Sequence, residues 1–180
     1  MAPTDAPRPT RRDPVWLWLL AAALLVARVA TGLWEERHPT EHADLVEWVP
    51  AEDAVAIAAE HSRPILYDFS AEWCGPCHLM EQEVFDKEKS ALEISQLVVP
   101  VHVVDRQHED GRNSALVDSL QRAYSVQAFP TLVIVWQGKL VDRMEGYPGA
   151  EELLGWLKHA AVKARISDVT PGGAPGVVIH

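Results

Sequence analysis

Ile65-Leu66-Tyr67-Asp68-Phe69-Ser70-Ala71-Glu72-Trp73-Cys74-Gly75-Pro76-Cys77 decides the fold, because it joins an apolar run to the only two cysteines in 180 residues. The run from Ile65 to Phe69 reads as a buried strand, and the residues after the cysteines read as a helix. A helix starting near Cys74 sets the first thiol where unpaired backbone N–H groups and the helix dipole favour an anion. Its pKa then falls from about 8.5 toward roughly 3.5 to 7.5. Only a thiolate attacks a disulfide. Cys77, one turn later, can then close an internal bond and expel a bound partner, so the pair reads as a redox couple. Asp68 is out of place in its apolar run, because a charge there is costly unless it is exposed, paired or protonated.

Three other readings compete for the pair. A purely structural disulfide closing so short a loop would remove little entropy from the unfolded chain. Zinc needs about four ligands, and a second pair of cysteines is missing, so no metal is expected. Cys74-x-x-Cys77-His78 also spells the attachment signature of a c-type haem, with Met80 or Met144 as a second axial ligand. Haem calls for a pocket of helices and loops, whereas the surrounding pattern alternates strands and helices. Leu79, Met80, Val84 and Phe85 recur at helical spacing and read as core.

Outward from this centre, the flanks differ in character. Residues 1–14 are rich in proline and arginine and precede an apolar segment, Val15 to Ala27, that continues less cleanly to Trp34. From Val15 to Trp34 it reaches the ~20 residues of a bilayer helix, with Trp16, Trp18 and Trp34 near its ends. Arginines before it predict a cytoplasmic N-terminus with the rest of the chain outside. A cleaved signal peptide is the alternative, with small residues at Ala30-Thr31-Gly32. Residues 35–44 then form a linker, 45–164 a single domain, and the glycine- and proline-rich 165–180 a flexible tail.

The net charge is −10. Residues 1–34 carry four arginines against two aspartates, a balance of +2, so the remainder carries −12. An acidic exported part makes nucleic acid an improbable partner. A hydrophobic content of 48% with seven tryptophans fits a packed fold.

Along the domain, Leu45 to Val49 reads as a first strand and Ala51 to Ser62 as an amphipathic helix. Leu97 to Val104 is another strand, with Pro100 confining part of it to an edge or bulge. Asp105 to Asn113 reads as a loop, Ser114 to Tyr124 as a helix, and Thr131 to Trp136 with Lys139 to Arg143 as a hairpin. Glu151 to Ala164 is a closing helix. This order specifies an α/β fold with a central mixed sheet flanked by helices.

The stretch quoted at the outset resembles the strand and active site of the thioredoxin superfamily almost residue for residue. Phe129-Pro130-Thr131-Leu132 resembles the family's cis-proline loop, and Gly146 its glycine facing the active site; the likeness covers about residues 45–164. Glu47-Trp48, Met80-Glu81, Val84-Phe85-Asp86 and an extended loop before Pro130 are similar to the C-terminal thioredoxin-like domain of the transmembrane reductase DsbD. The resemblance implies a thioredoxin-like fold in which Cys74 attacks, Cys77 resolves and Asp68 takes the proton of Cys77. It implies that Trp73, Gly75, Pro76, Phe129, Pro130, Thr131 and Gly146 line the substrate site, Pro130 being cis so that a bound polypeptide can pair beside Cys74.

The expected function is a thiol:disulfide oxidoreductase, with no cofactor beyond the Cys74-Cys77 disulfide. Reduction of extracytoplasmic proteins is favoured, because Gly75-Pro76 resembles reducing members; the alternatives are an oxidase or isomerase of the same fold, or a c-type haem electron-transfer protein using Cys74-Cys77-His78. Protein thiols and disulfides, apocytochrome c among them, are the expected substrates. A membrane electron carrier of DsbD type is the expected donor, and the inner membrane facing the periplasm or cell exterior is the expected location.

Overall fold

A computed structural model describes the backbone of residues 15–37 and 45–167, and the side chains of residues 16–30 and 45–166. The expected cytoplasmic N-terminus (1–14), most of the 35–44 linker and most of the 165–180 tail lie outside the described residues. The chain divides into two units, residues 1–41 and 42–180.

In the first unit, helix α1 runs over Val15–Arg37, and every side chain described in it is exposed. Among the described residues no helix is long and apolar enough to cross a membrane, so the span expected over 15–34 finds no support there.

The second unit is built on a strand buried at every position, β1 (Ile65–Ala71). Helix α2 (Ala54–His61) precedes it and ends at Ser62, whose left-handed backbone lets its N–H reach the Ala58 and Ala59 carbonyls. Helix α3 (Gly75–Met80) follows β1 and runs into a π turn, Glu81–Phe85, marked by a 2.8 Å bond from the Asp86 N–H to the Glu81 carbonyl. Then come α4 (Glu88–Leu97), β2 (Val99–Asp105) and the short α5 (Gln107–Asp110). Helix α6 (Ala115–Ala123) is capped by the Ser114 hydroxyl, which accepts from the Val117 N–H. The hairpin β3 (Thr131–Trp136) and β4 (Lys139–Glu145) and helix α7 (Ala150–Ser167) complete the unit.

The sheet order is β2-β1-β3-β4, with β1 parallel to β2 and the other pairs antiparallel. Its mixed character and its helical flanks match the expectation. Leu66, Leu132 and Ile134 face Met80, Val84, Phe85, Ile94 and Leu157, while Tyr67, Phe69, Val101 and Val133 face Ala54, Ala58 and Leu120. Because side chains alternate along a strand, Asp68 and Ser70 share the Leu66 face, the one covered by α3 and the π turn.

Two expectations need correction, and one helix was not expected. Residues 45–50 form no strand. The Val49 N–H does reach the Pro100 carbonyl at 2.9 Å, on the open edge of β2. An extended residue points its N–H and C=O the same way, so proline lacks the donor that would return the bond and extend the ladder. Residues 88–97, passed over in the sequence, are helix α4, with Ala91, Ile94 and the following Val98 buried. The stretch expected as a loop from Asp105 contains α5 and is held by Asp105, whose buried carboxylate accepts from Gln107 N–H, Asn113 Nδ2 and Gln121 Nε2. Burial alone would raise the Asp105 pKa, but these bonds together hold it below the ordinary carboxylate value.

Candidate active site

The chain leaves β1 at Ala71 and turns into α3 within a few residues, and this turn is what positions the cysteines. Cys74 takes an extended conformation as the N-cap of α3 and Pro76 sits in the first turn, where its missing N–H costs no helical bond. Cys74 and Cys77 are joined in a disulfide with Cα atoms 5.3 Å apart. Both are buried, Cys74 at 3% exposure and Cys77 at 1%. The Cys77 backbone N–H points at Cys74 Sγ, 3.2 Å away, a donor already aimed at the sulfur that would carry negative charge once the bond is reduced. The geometry therefore distinguishes the two sulfurs: Cys74 at the cap with a donor, Cys77 inside the helix.

Phe129 packs against Ala71, Cys74 and Cys77, and the half-exposed Trp73 meets it edge-on with ring centroids 5.9 Å apart. Phe129 thus sits against the disulfide, with Trp73 beside it. The Phe129-Pro130 peptide bond is cis. Thr131 Oγ1 donates to the Ala128 carbonyl and the Gly146 N–H donates to the Pro130 carbonyl at 2.8 Å, so both sides of this loop are tied. Gly146 has φ +77°, which disfavours any side chain there even though a Cβ would meet open space. The next residue, Tyr147, donates its hydroxyl to Glu83 on the π turn, fastening the Gly146 loop to the helical segment that follows the cysteines.

The structure thus brings Trp73, Gly75, Pro76 and Phe129 around the disulfide and links Pro130, Thr131 and Gly146 by hydrogen bonds. Asp68, 1% exposed, lies in β1 on the face covered by α3, with Oδ2 3.8 Å from His102 Nε2. His102 and Ser70, whose hydroxyl lies 2.6 Å from the same nitrogen, did not stand out in the sequence. A signal existed. In Val99 to Asp105 only His102 interrupts the apolar residues before the final acid, as Asp68 interrupts its own strand.

His78 closes the outer rim. Its Nε2 lies 2.6 Å from the Glu72 carbonyl and its Nδ1 3.1 Å from Glu81. The bond to the Glu72 carbonyl, then that to Glu81, raise its pKa above the usual imidazole value. With Nε2 given to a carbonyl, His78 is poorly placed to be the axial ligand that a haem reading requires. Among the described residues no group of three or more His, Cys, Asp or Glu side chains could hold a metal ion.

One pH dependence follows from His78. A raised folded pKa means its contribution to stability is complete below the unfolded value near 6.5 and is lost as pH rises through the folded value. The imidazole is about half exposed, so the contribution is under about 1 kcal/mol. Denaturant melts of His78→Ala against the parent chain from pH 5.5 to 8.5 should differ most at the acid end and converge at the alkaline end. A constant difference across the range would refute the assignment.

Comparison with known proteins places this geometry. The family model described as "Thioredoxin-like domain" matches residues 51–161. Thioredoxin Y2, chloroplastic, of Arabidopsis thaliana is 33% identical over 98 residues, 54% of this chain and 52% of that protein, so the match spans about half its length. The thioredoxin-like protein slr0233 of Synechocystis is 32% identical over 96 residues, 53% of this chain and 80% of that protein. Among solved structures, DsbH oxidoreductase aligns with a TM-score of 0.58 at 22% identity, over 65% of this chain and 85% of that one. The C-terminal domain of Neisseria meningitidis DsbD in its oxidised form aligns at 0.50 with 18% identity, over 61% and 90%. These two likenesses concern the fold alone.

Proposed function

The chain belongs to the thioredoxin-like family, and from that premise we propose that it is a thiol:disulfide oxidoreductase reducing disulfides of proteins outside the cytoplasm. The observation that carries the reading is the Cys74-Cys77 disulfide at the N-terminus of α3, with the Cys77 N–H aimed at Cys74 Sγ. Reduced, Cys74 attacks a substrate disulfide as the thiolate, giving a mixed disulfide and one released substrate thiol. Cys77 loses its proton to Asp68 and attacks Cys74 Sγ, and the second substrate sulfur leaves. Trp73 and Phe129 supply an apolar rim, and the backbone beside the cis Pro130 offers hydrogen bonds to an extended substrate segment.

Reduction rather than oxidation is supported by Gly75-Pro76 between the cysteines, the pair that resembles reducing members of the family. In an oxidising compartment the disulfide must be re-reduced, so a membrane electron carrier of DsbD type is the donor in this reading, and the disulfides of misoxidised proteins or of apocytochrome c are its substrates. Attachment to the inner membrane rests on α1. Nine large apolar side chains from Trp16 to Val29 stand exposed on that helix, a surface that water disfavours and a lipid or protein environment would cover.

Full-length protein with dithiothreitol should precipitate insulin faster than dithiothreitol alone, and in its native host should stay in the membrane fraction after alkaline carbonate washing. Absence of insulin reduction would overturn the enzymatic reading. Release by carbonate would overturn the anchor and leave the chemistry standing.

A further inference from the structure

His102 lies within ion-pair distance of the buried Asp68, and it is set there by register. Asp68 and His102 are directly paired across the parallel β1/β2 ladder, so both side chains emerge on the face covered by α3. The imidazole Nε2 lies 3.8 Å from Asp68 Oδ2 and 2.6 Å from Ser70 Oγ, two positions further along β1. On its other side the ring lies against Trp48, centroids 5.0 Å apart and planes inclined by 32°, and Trp48 in turn meets Phe85 of the π turn edge-on. Trp48 and Ser70 therefore fix the ring between them. The neighbouring Glu47 is exposed. Asp68 is 1% exposed and His102 about a quarter exposed, so the pair runs from the sheet interior toward solvent at the β2 edge.

We propose that His102 is a positioning residue for the reaction, carrying protons between the buried Asp68 carboxyl and bulk water each time Cys77 is deprotonated or reprotonated. The inference rests on the oxidoreductase reading and deepens it. In the reductive direction the mixed disulfide joins Cys74 Sγ to the substrate. The Cys77 thiol passes its proton to the Asp68 carboxylate, and its sulfur attacks Cys74 Sγ. The Cys74–Cys77 bond forms as the Cys74–substrate bond breaks, and the substrate sulfur leaves with the electron pair and takes a proton from water. Two electrons have moved from the dithiol to the substrate disulfide. Asp68, 1% exposed, now holds a proton away from bulk water. Neutral His102 accepts it at Nε2 and gives one to water from its other ring nitrogen, returning the carboxylate for the next cycle. The 3.8 Å separation is longer than a hydrogen bond, so transfer requires about 1 Å of ring movement or one bridging water.

The test is the pH dependence of turnover. His102→Gln keeps a polar side chain beside Ser70 and Trp48 but cannot carry a proton. In stopped-flow reduction of a fluorescent disulfide peptide by full-length protein, it should lower the rate of Cys77-dependent release about fivefold to tenfold. It should also flatten the rate profile between pH 5.5 and 7.5, leave the initial Cys74 attack unchanged, and respond to added imidazole. An unaltered profile in an active variant overturns the role of His102, whereas an inactive parent protein overturns the oxidoreductase reading instead. Should His102→Gln fail to fold, NMR titration of the His102 ring in the parent and in Asp68→Asn decides the matter. The His102 midpoint falls when the carboxylate is removed if the two groups are coupled closely enough for a proton to pass between them, and an unmoved midpoint overturns the proposal.

Discussion

Cys74→Ser is expected to abolish disulfide exchange, lowering turnover by at least about a thousandfold. A hydroxyl at this position has no accessible anion at neutral pH, and no second residue at the cap replaces it. The Cys77 N–H would then face a neutral oxygen in place of a sulfur able to hold charge. Cys77→Ser has the opposite signature. Attack still occurs, but the mixed disulfide lacks its resolving thiol and persists. Insulin reduction should be undetectable for both variants, and intact-mass analysis after mixing with a disulfide peptide should show a stable adduct only on Cys77→Ser. An adduct on Cys74→Ser instead would reverse the roles of the two sulfurs.

Phe85→Ala is expected to cost about 3–5 kcal/mol of stability, a large part of what a domain of this size possesses. Phe85 ends the π turn at 1% exposure, contributes to the core face beneath the cysteines, and meets Trp48 edge-on at 5.0 Å. Losing the ring removes the support of Trp48, so the substitution loosens the docking of the segment that carries Trp48 to His102. Urea titration monitored by tryptophan fluorescence measures the loss. The exposed Leu92→Ala, on α4, provides the contrast and should change stability by less than about 0.5 kcal/mol. Equal losses for the two would contradict the core assignment.

The site was the most legible part of the sequence. Two cysteines three apart after an apolar strand carry their own chemistry, and the cis Phe129-Pro130 bond and the positive φ of Gly146 fall on the residues that stood out by resemblance. Where periodicity was clean, as in β3, β4 and α6, the expected elements appear within one or two residues.

What stayed hidden depended on contacts that one-dimensional patterns do not carry. Helix α4 buries a stripe of Ala91 and Ile94, and Leu92, exposed, breaks the pattern that would have revealed it. The segment at Leu45 to Val49 has strand composition, but whether it pairs is decided by Pro100, half a domain away. His102 acquires meaning only through its parallel register with Asp68, which no local spacing encodes.

The central claim is that Cys74 and Cys77 exchange two electrons with external thiols. Equilibrating the full-length protein in glutathione buffers of graded ratio, then trapping free thiols by alkylation and weighing the products, tests it most directly. The account predicts a single two-electron transition between disulfide and dithiol, at a potential near the −270 mV typical of thioredoxin or within roughly 50 mV of it. A pair that stays in one state across the whole range, or that loses and gains single thiols independently, would contradict it.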